Sequence, residues 1–334
     1  MLKVKKDRYL VLGSNSFSGS NFISHLLDKK HKVTGVSRSK EINNVFLKYK
    51  KNRYKSLFKF KKIDLNKDLK TLIKLIKKFK PSIIVNYIAQ GMVAQSWDNP
   101  QDWYNTNIIS QTLFYKKILN FKFIKKIIHV STPEVYGSTS NLAKESNFFN
   151  PSTPYAISRA TMDTHLLKYF KNYKLPVIIT RTSNIYGPGQ QLYRLIPKAF
   201  MCIKKNKTFN LHGGGRSIRS FIYADDASWA TYLVSQKGKI GETYHISSKK
   251  FILIKNIVKK ISSLEKISFE KLCKINKERI GKDHSYKLDA NKINKKLNWR
   301  ATVNLDEGLL KTKKWVDNNF NILKKYNLDY KHKK

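Results

Sequence analysis

A chain of 334 residues, 41% of them apolar, is long enough to bury a substantial core, and its length suits one large α/β domain carrying a smaller second one. Its formal charge of +45 would attract polyanions at long range, but the excess is lysine spread over nearly every predicted helix beside abundant Asn and Ile, which reads as a solvated basic surface and disfavours nucleic acid as a partner. Cys202 and Cys273 form no CxxC and lack a paired histidine spacing, so no metal and a reducing, cytoplasmic compartment are expected, and no apolar stretch is long enough to span a bilayer.

The first residues, MLKVKKDRYLVLG, are basic and then apolar, but the apolar run is short and enters a Gly/Ser loop rather than a cleavage site, which argues against a signal peptide. Short apolar runs at 9–12, 32–36, 58–63, 83–88, 127–130 and 177–180 read as strands separated by helices. The clearest helix is 67–80, where Leu69, Leu72, Ile73, Ile76 and Phe79 recur at helical spacing, lysines take the other face, and Pro81 ends it. The densest basic patch, 47–62, reads as a loop leading into a strand. Strict alternation of strand and helix predicts an α/β fold with a doubly wound parallel sheet, whose ligands bind beyond the carboxyl ends of the strands. After about residue 185 the pattern loosens into a helix near 193–205, a strand at 218–223, a helix and a strand at 243–247. The expected division is a dinucleotide-binding part, 1–184, rejoined by about 225–250, and a smaller mixed α/β substrate part from 185–224 and 251–330. The lysine-rich tail from Asn321 is expected to fray.

The first strand runs into VLGSNSFSGSNFI, a turn with Gly13 and Gly19 before an amphipathic helix, suited to bringing backbone N–H groups onto a pyrophosphate. Ser16 stands where a second glycine is usual, and Asn15, Phe17 and Ser18 complete the candidate cradle. At the end of the second strand no Asp or Glu awaits the adenosine ribose, whereas Ser37, Arg38 and Ser39 offer a cation and hydroxyls suited to a 2′-phosphate; this favours NADP, with NAD the alternative. Asp64 and Leu65, after the third strand, suit an adenine edge and face. Beyond the fifth strand come HVSTPEVYG and NPSTPYAISRA. Tyr155 and Arg159 are four apart and share a helix face, where a cation eases ionisation of the phenol; Thr132 and Glu134 come from the strand end facing the same cleft.

These segments, together with NYIAQGMVAQSWDNP, RTSNIYGPGQQLYRLIP, GGGRSIRSFIYADD and GETYHIS, occur in the order and near the spacing of the extended short-chain dehydrogenases that act on nucleotide sugars, from residue 8 to about 315. The chain resembles most the 4,6-dehydratases of dTDP-glucose or GDP-mannose, because the 4-epimerases lack a carboxylate at the position of Glu134. The resemblance implies a Rossmann fold, a nicotinamide cofactor touched also by Ala89 and Gln90, a nucleoside-diphosphate sugar as substrate, and a homodimer paired through the helix after the fourth strand and the Tyr155 helix. It implies that Tyr155 removes the proton of the sugar 4-hydroxyl, Thr132 hydrogen-bonds that oxygen, and Glu134 takes the C-5 hydrogen as water leaves C-6. It puts Asn184, Arg194 and Arg219 near the substrate pyrophosphate, with Leu195 and Tyr286 in the same site. The chain departs from the pattern at Arg159, where the family has Lys; at Pro133, where the dTDP-glucose enzymes have an Asp proton donor; and at His284 and Ser285, where the family has arginines. Sibling reactions on the same scaffold (4-epimerisation, 4-keto reduction, uronate decarboxylation) and a non-catalytic nucleotide or nucleic-acid binder are the competing readings.

Overall fold

The computed structural model describes residues 6–278 and 280–333, so the basic start at 1–5 lies outside the described residues. The first half alternates as β1 (Arg8–Leu12), α1 (Phe17–Asp28), β2 (Lys32–Ser37), β3 (Phe58–Lys62), α2 (Leu69–Phe79), β4 (Ile83–Asn86), α3 (Pro100–Tyr104), α4 (Ser110–Ile118), β5 (Lys126–Ser131), α5 (Pro154–Tyr173) and β6 (Val177–Thr182). There follow β7 (Asn184–Tyr186), α6 (Leu195–Lys204), β8 (Phe209–His212), β9 (Ile218–Tyr223), α7 (Ala224–Lys237), β10 (Thr243–Ile246), β11 (Phe251–Leu253), α8 (Ile254–Leu264), α9 (Phe269–Leu272), β12 (Cys273–Asn276), α10 (Asn291–Leu297) and α11 (Leu305–Leu323).

Seven parallel strands form the central sheet in the order β10-β6-β5-β4-β1-β2-β3. The order reverses between β1 and β4, the place where an open α/β sheet leaves a crevice at its carboxyl edge. Alternation along β1 shows why both faces must be covered. Tyr9 and Val11 pack with Phe22 and Ile23 of α1 and Val234 of α7 on one face. Leu10 and Leu12 pack with Leu72 and Ile76 of α2, Phe114 of α4 and Leu166 of α5 on the other. A second core joins Ile196 and Phe200 of α6, Ile257 and Ile261 of α8, and Leu309 and Val316 of α11, beside the small sheets β11-β9-β7 and β12-β8. Each such fully buried side chain contributes about 1.5–3 kcal/mol.

Local chemistry sets the element ends. β4 stops at Asn86 rather than running to residue 88, because the Asn86 side chain accepts from Ile88 N at 2.9 Å and turns the chain out of the ladder. α2 stops at Phe79, with Lys80 in the left-handed region at φ 47°. The basic stretch before β3 is more ordered than a plain loop. It folds as short 3₁₀ turns around a buried Tyr49, whose phenol donates to Glu41 at 2.8 Å while Lys50 holds the other carboxylate oxygen at 2.7 Å.

The tail corrects an expectation. Instead of fraying from Asn321, the chain stays helical through Leu323 and then packs back along the molecule: Leu328 is buried, Asp329 pairs with Lys198 at 2.7 Å and His332 meets Asp102 at 2.7 Å. Pairing and burial outweigh the lysine-rich composition there. Among the described residues no helix is long and apolar enough to cross a membrane.

Candidate active site

A cleft of about 1000 Å³ opens at the carboxyl edge of the central sheet, and every residue nominated from the sequence lines it except Gly19. Gly19 sits behind the turn, where a side chain would run into the carbonyl of Gly13 at 2.3 Å. Gly13 has φ 82°, and a Cβ there would press on the Tyr87 backbone at 3.0 Å, so both glycines are required for the turn itself. Ser16 needs no glycine: at φ −71° it is the N-cap of α1, its hydroxyl accepting from Gly19 N at 3.0 Å. The result is a close backbone turn feeding a helix N-terminus, the geometry that receives an anion.

The tip of β2 is tied to this turn. Ser37 Oγ accepts from Asn15 N at 2.9 Å, and Asn15 Nδ2 donates to the carbonyls of Ser39 at 3.1 Å and Lys40 at 2.9 Å. The Ser37 hydroxyl is thus engaged in holding the loop, and Arg38 is the cation facing the cleft. Asp64 caps its own turn through Asn66 N at 2.9 Å, with Leu65 buried beside it. Gln90 is clamped by Asn107, which accepts from its N–H at 2.9 Å and donates to its carbonyl at 3.0 Å, and exposed Ala89 precedes it.

At the end of β5, Thr132 caps the turn Pro133–Tyr136 that presents Glu134 to the cleft. Thr153 caps α5, with Pro154 in its first turn, and so fixes Tyr155 near the start of the helix. The Thr132 hydroxyl hydrogen-bonds the Tyr155 phenol. Burial and the nearby charge of Glu134 hold that phenol above its ordinary range, against the opposing pull of Arg159 and the hydrogen bond from Thr132. Burial likewise raises the Glu134 carboxyl, opposed by backbone hydrogen bonding and by Arg219 and Arg194. Asp283, which the sequence reading passed over in favour of its neighbours His284 and Ser285, adds a charge that pushes Glu134 further up.

Arg159 is wholly buried. Its Nη2 donates to the Val130 carbonyl and to His129 Nε2 at 3.2 Å, while Nε and Nη1 have no partner among the described residues. Because a guanidinium only donates, His129 Nε2 must accept, which makes His129 the neutral Nδ1–H tautomer. Burial first, and then the charges of Arg159 and Arg181, press its pKa well down and keep it neutral. Beneath it, Asp163 and Arg181 form a fully buried ion pair at 2.9 Å, joined by Ser131 Oγ at 2.9 Å. Two unpartnered donors of a buried cation on the cleft wall fit the ribose hydroxyls of a dinucleotide, as the glycine turn fits its pyrophosphate. The residues present therefore suit a nicotinamide cofactor, and Arg159 keeps the charge that lysine supplies in the family.

On the opposite wall, Asn184 Oδ1 accepts from the Tyr286 hydroxyl at 2.9 Å. Arg219 stacks 4.1 Å from the centre of the Tyr286 ring. Three bonds fix its guanidinium: to the carbonyls of Ile218 at 2.8 Å, His284 at 3.1 Å and Asp283 at 2.7 Å. Arg194, the exposed N-cap of α6, and Leu195 complete this wall. Arg219 is a preset cation, whereas Arg194 is exposed and rests 5.5 Å from the centre of the Tyr193 ring. Among the described residues no group of three or more His, Cys, Asp or Glu is placed to hold a metal.

Comparison with known proteins agrees with this geometry. The profile of the family GDP-mannose 4,6 dehydratase matches residues 10–312. The chain is 29% identical to the dTDP-glucose 4,6-dehydratase of Haemophilus influenzae over 92% of its length and 96% of the relative's. It is 32% identical to the human dTDP-D-glucose 4,6-dehydratase over 72% of its length and 70% of the relative's. A crystal structure of the dTDP-glucose 4,6-dehydratase DesIV from Streptomyces venezuelae, with NAD and TYD bound, superposes with a TM-score of 0.87 at 27% identity, covering 94% of this chain and 98% of that one. Matched by that profile over nearly its whole length and built on the same kind of Rossmann sheet, the chain belongs to the GDP-mannose 4,6 dehydratase family of the extended short-chain dehydrogenases.

Proposed function

We propose that this enzyme converts a nucleoside-diphosphate hexose into its 4-keto-6-deoxy derivative, with dTDP-glucose, the substrate named in its relatives, the first to test. The observation that carries the reading is the convergence of Thr132, Glu134 and Tyr155 on one wall of the cleft, with an acidic side chain where a 4-epimerase needs none.

Tyr155 takes the proton of the sugar 4-hydroxyl, helped by the Thr132 hydrogen bond and the Arg159 charge. A bound dinucleotide would supply the redox chemistry, holding the C-4 hydride until it goes back to C-6, and the proton that Tyr155 took from the 4-hydroxyl balances the one C-5 regains at that point. With a ketone at C-4, the C-5 hydrogen is acidic, and Glu134 removes it. Pro133 offers no proton to the departing 6-hydroxyl, so Glu134 hands on the proton it has gained and water leaves. A carboxyl held above its ordinary range is suited to that second step as an acid. Arg219 and Arg194 neutralise the substrate pyrophosphate, with Asn184 and Tyr286 alongside. In this reading the segments 185–224 and 251–330 form the substrate part and 1–184 with about 225–250 the dinucleotide part.

For the cofactor, the NAD-bound relative supports NAD, and a β2 tip that carries Arg38 and no carboxylate supports tolerance of NADP. A homodimer is supported by the exposed apolar side chains of Leu113 on α4, of Ile109 in the π-helical turn Asn105–Ile109 that leads into it, and of Ile157 on α5, the helices that pair in the family. Incubation with a panel of nucleoside-diphosphate hexoses tests the activity: mass spectrometry should show loss of water from at least one, with no net change in cofactor redox state. A product of unchanged mass, or stoichiometric consumption of NAD(P)H, would replace this reading with epimerisation or reduction.

A further inference from the structure

We propose that residues 327–333 form a strap that closes over the dinucleotide end of the cleft and holds the cofactor in place through a catalytic cycle. The strap starts on the substrate side, where Leu328 is buried, Asp329 pairs with Lys198 of α6 at 2.7 Å and the Tyr330 ring meets Tyr193 edge-on at 5.2 Å. It ends on the sheet side, where His332 stacks on the buried Trp103 ring of α3 at 5.0 Å and 14°, and its Nε2 lies 2.7 Å from the Asp102 carboxylate. Along this stretch Asp329, Tyr330, Lys331 and Lys333 line the cleft. The Lys333 carbonyl accepts from Gln90 Nε2 at 2.7 Å, so the strap's far end is tied to a cleft-lining residue whose backbone Asn107 already fixes.

The attachments are of unequal strength. On the substrate side the strap continues from α11, which is part of the second hydrophobic core. On the sheet side, among the described residues, it is held by one imidazole–carboxylate pair, one ring stack and one amide hydrogen bond, a set small enough to release and remake without disturbing either core. Opening would therefore start at His332 and swing the strap away from the sheet side. Its chemistry suits a dinucleotide beneath it: Lys331 and Lys333 add positive charge to a mouth already carrying Arg38.

This role rests on the dehydratase reading, in which hydride is stored on the cofactor and returned, so a reduced cofactor that left midway would strand the keto sugar. Retention is then worth more than exchange, unlike in a dehydrogenase that must trade its cofactor each turnover.

The experiment compares the full chain, a variant ending at Tyr326 and the single substitutions His332→Ala and Asp102→Asn. Each is loaded with NADH, and release is followed by loss of the bound-state fluorescence after dilution into NAD, without any sugar. Release at least tenfold faster in the truncated chain and clearly faster in both single variants is expected, with thermal unfolding of the unliganded proteins nearly unchanged for the single variants. Release from His332→Ala and Asp102→Asn no faster than from the full parent chain would overturn the strap even if the truncated chain failed to fold. Since no substrate is present, failure of the dehydratase reading would appear separately, as absence of water loss in the hexose panel.

Discussion

The guanidinium of Arg159 is bonded to the carbonyl of Val130, two residues before Thr132 on the strand that also delivers Glu134. One cation therefore locks the Tyr155 helix to the strand end carrying its chemical partners. Replacing it with alanine would leave the Val130 carbonyl and His129 Nε2 unpaired in the core, at a cost of about 1–3 kcal/mol. Arg159→Ala should lower the melting temperature and move the limb on which the rate rises with pH to higher pH, because the phenol, which acts as its phenolate, loses the charge that opposes its burial. Arg159→Lys should keep that limb in place; a rising limb unmoved by Arg159→Ala would detach the cation from Tyr155.

Tyr155→Phe removes the base but none of the residues that tie down the glycine turn. Turnover is expected to drop by about 10²–10⁴-fold. NADH binding, followed by fluorescence titration, should change little. Turnover within a few fold of the parent would take Tyr155 out of the mechanism.

Glu134→Gln separates the two halves of the reaction. Oxidation at C-4 needs only Tyr155 and Thr132, so reduced nicotinamide should accumulate on the enzyme in a single-turnover absorbance trace while the dehydrated product is absent. The same substitution should stabilise the fold at neutral pH. A carboxyl whose folded pKa is raised binds more protons folded than unfolded, so its contribution worsens as pH climbs past the unfolded value near 4.5. The gain in melting temperature should therefore be largest at pH 7 and vanish toward pH 4.

His25 and His245 are held down, to about 4 and about 3, and His129 lower than its ordinary range as well, all chiefly by burial. Their folded pKa values lie below the unfolded 6.5, so the unfolded chain gains protons first, and stability is lost as pH falls through 6.5. Each group that stays neutral costs roughly 2 kcal/mol by pH 5. Melting temperature should fall steeply between pH 7 and pH 5, and His25→Gln should flatten part of that slope. A flat profile over this range would show that the folded chain takes up the same protons and that burial does not hold these histidines neutral.

Much of the site was legible because its spacing is local. Tyr155 and Arg159 share a face by the helical repeat, Gly13 and Gly19 flank one turn, and Thr132 and Glu134 sit in one short turn after an apolar strand. What these groups do to each other was not. The expectation that the Arg159 cation lowers the cost of ionising Tyr155 holds in direction, but burial and Glu134 outweigh it, and both depend on walls built from distant segments. Ser37 read as a cofactor contact and lines the cleft, but that its hydroxyl also accepts from the backbone of Asn15 and so ties the tip of β2 to the first turn could not be read from either segment. Asp283 went unnoticed because nothing in GKDHSY says that its carbonyl will fix Arg219 or its charge will reach Glu134.

The sequence by itself determined the alternation of strands and helices, the cradle at the first turn and the identity of the chemical groups, since hydrophobic period, glycine placement and side-chain type act over a few residues. Tertiary structure alone decided where the lysine-rich tail goes, which cations are spent on carbonyls, and how far each acid is pushed from its usual pKa. Those outcomes depend on partners brought together across the whole chain, as His332 is to Asp102, and desolvation by such partners is a property of the packed site that no local stretch carries.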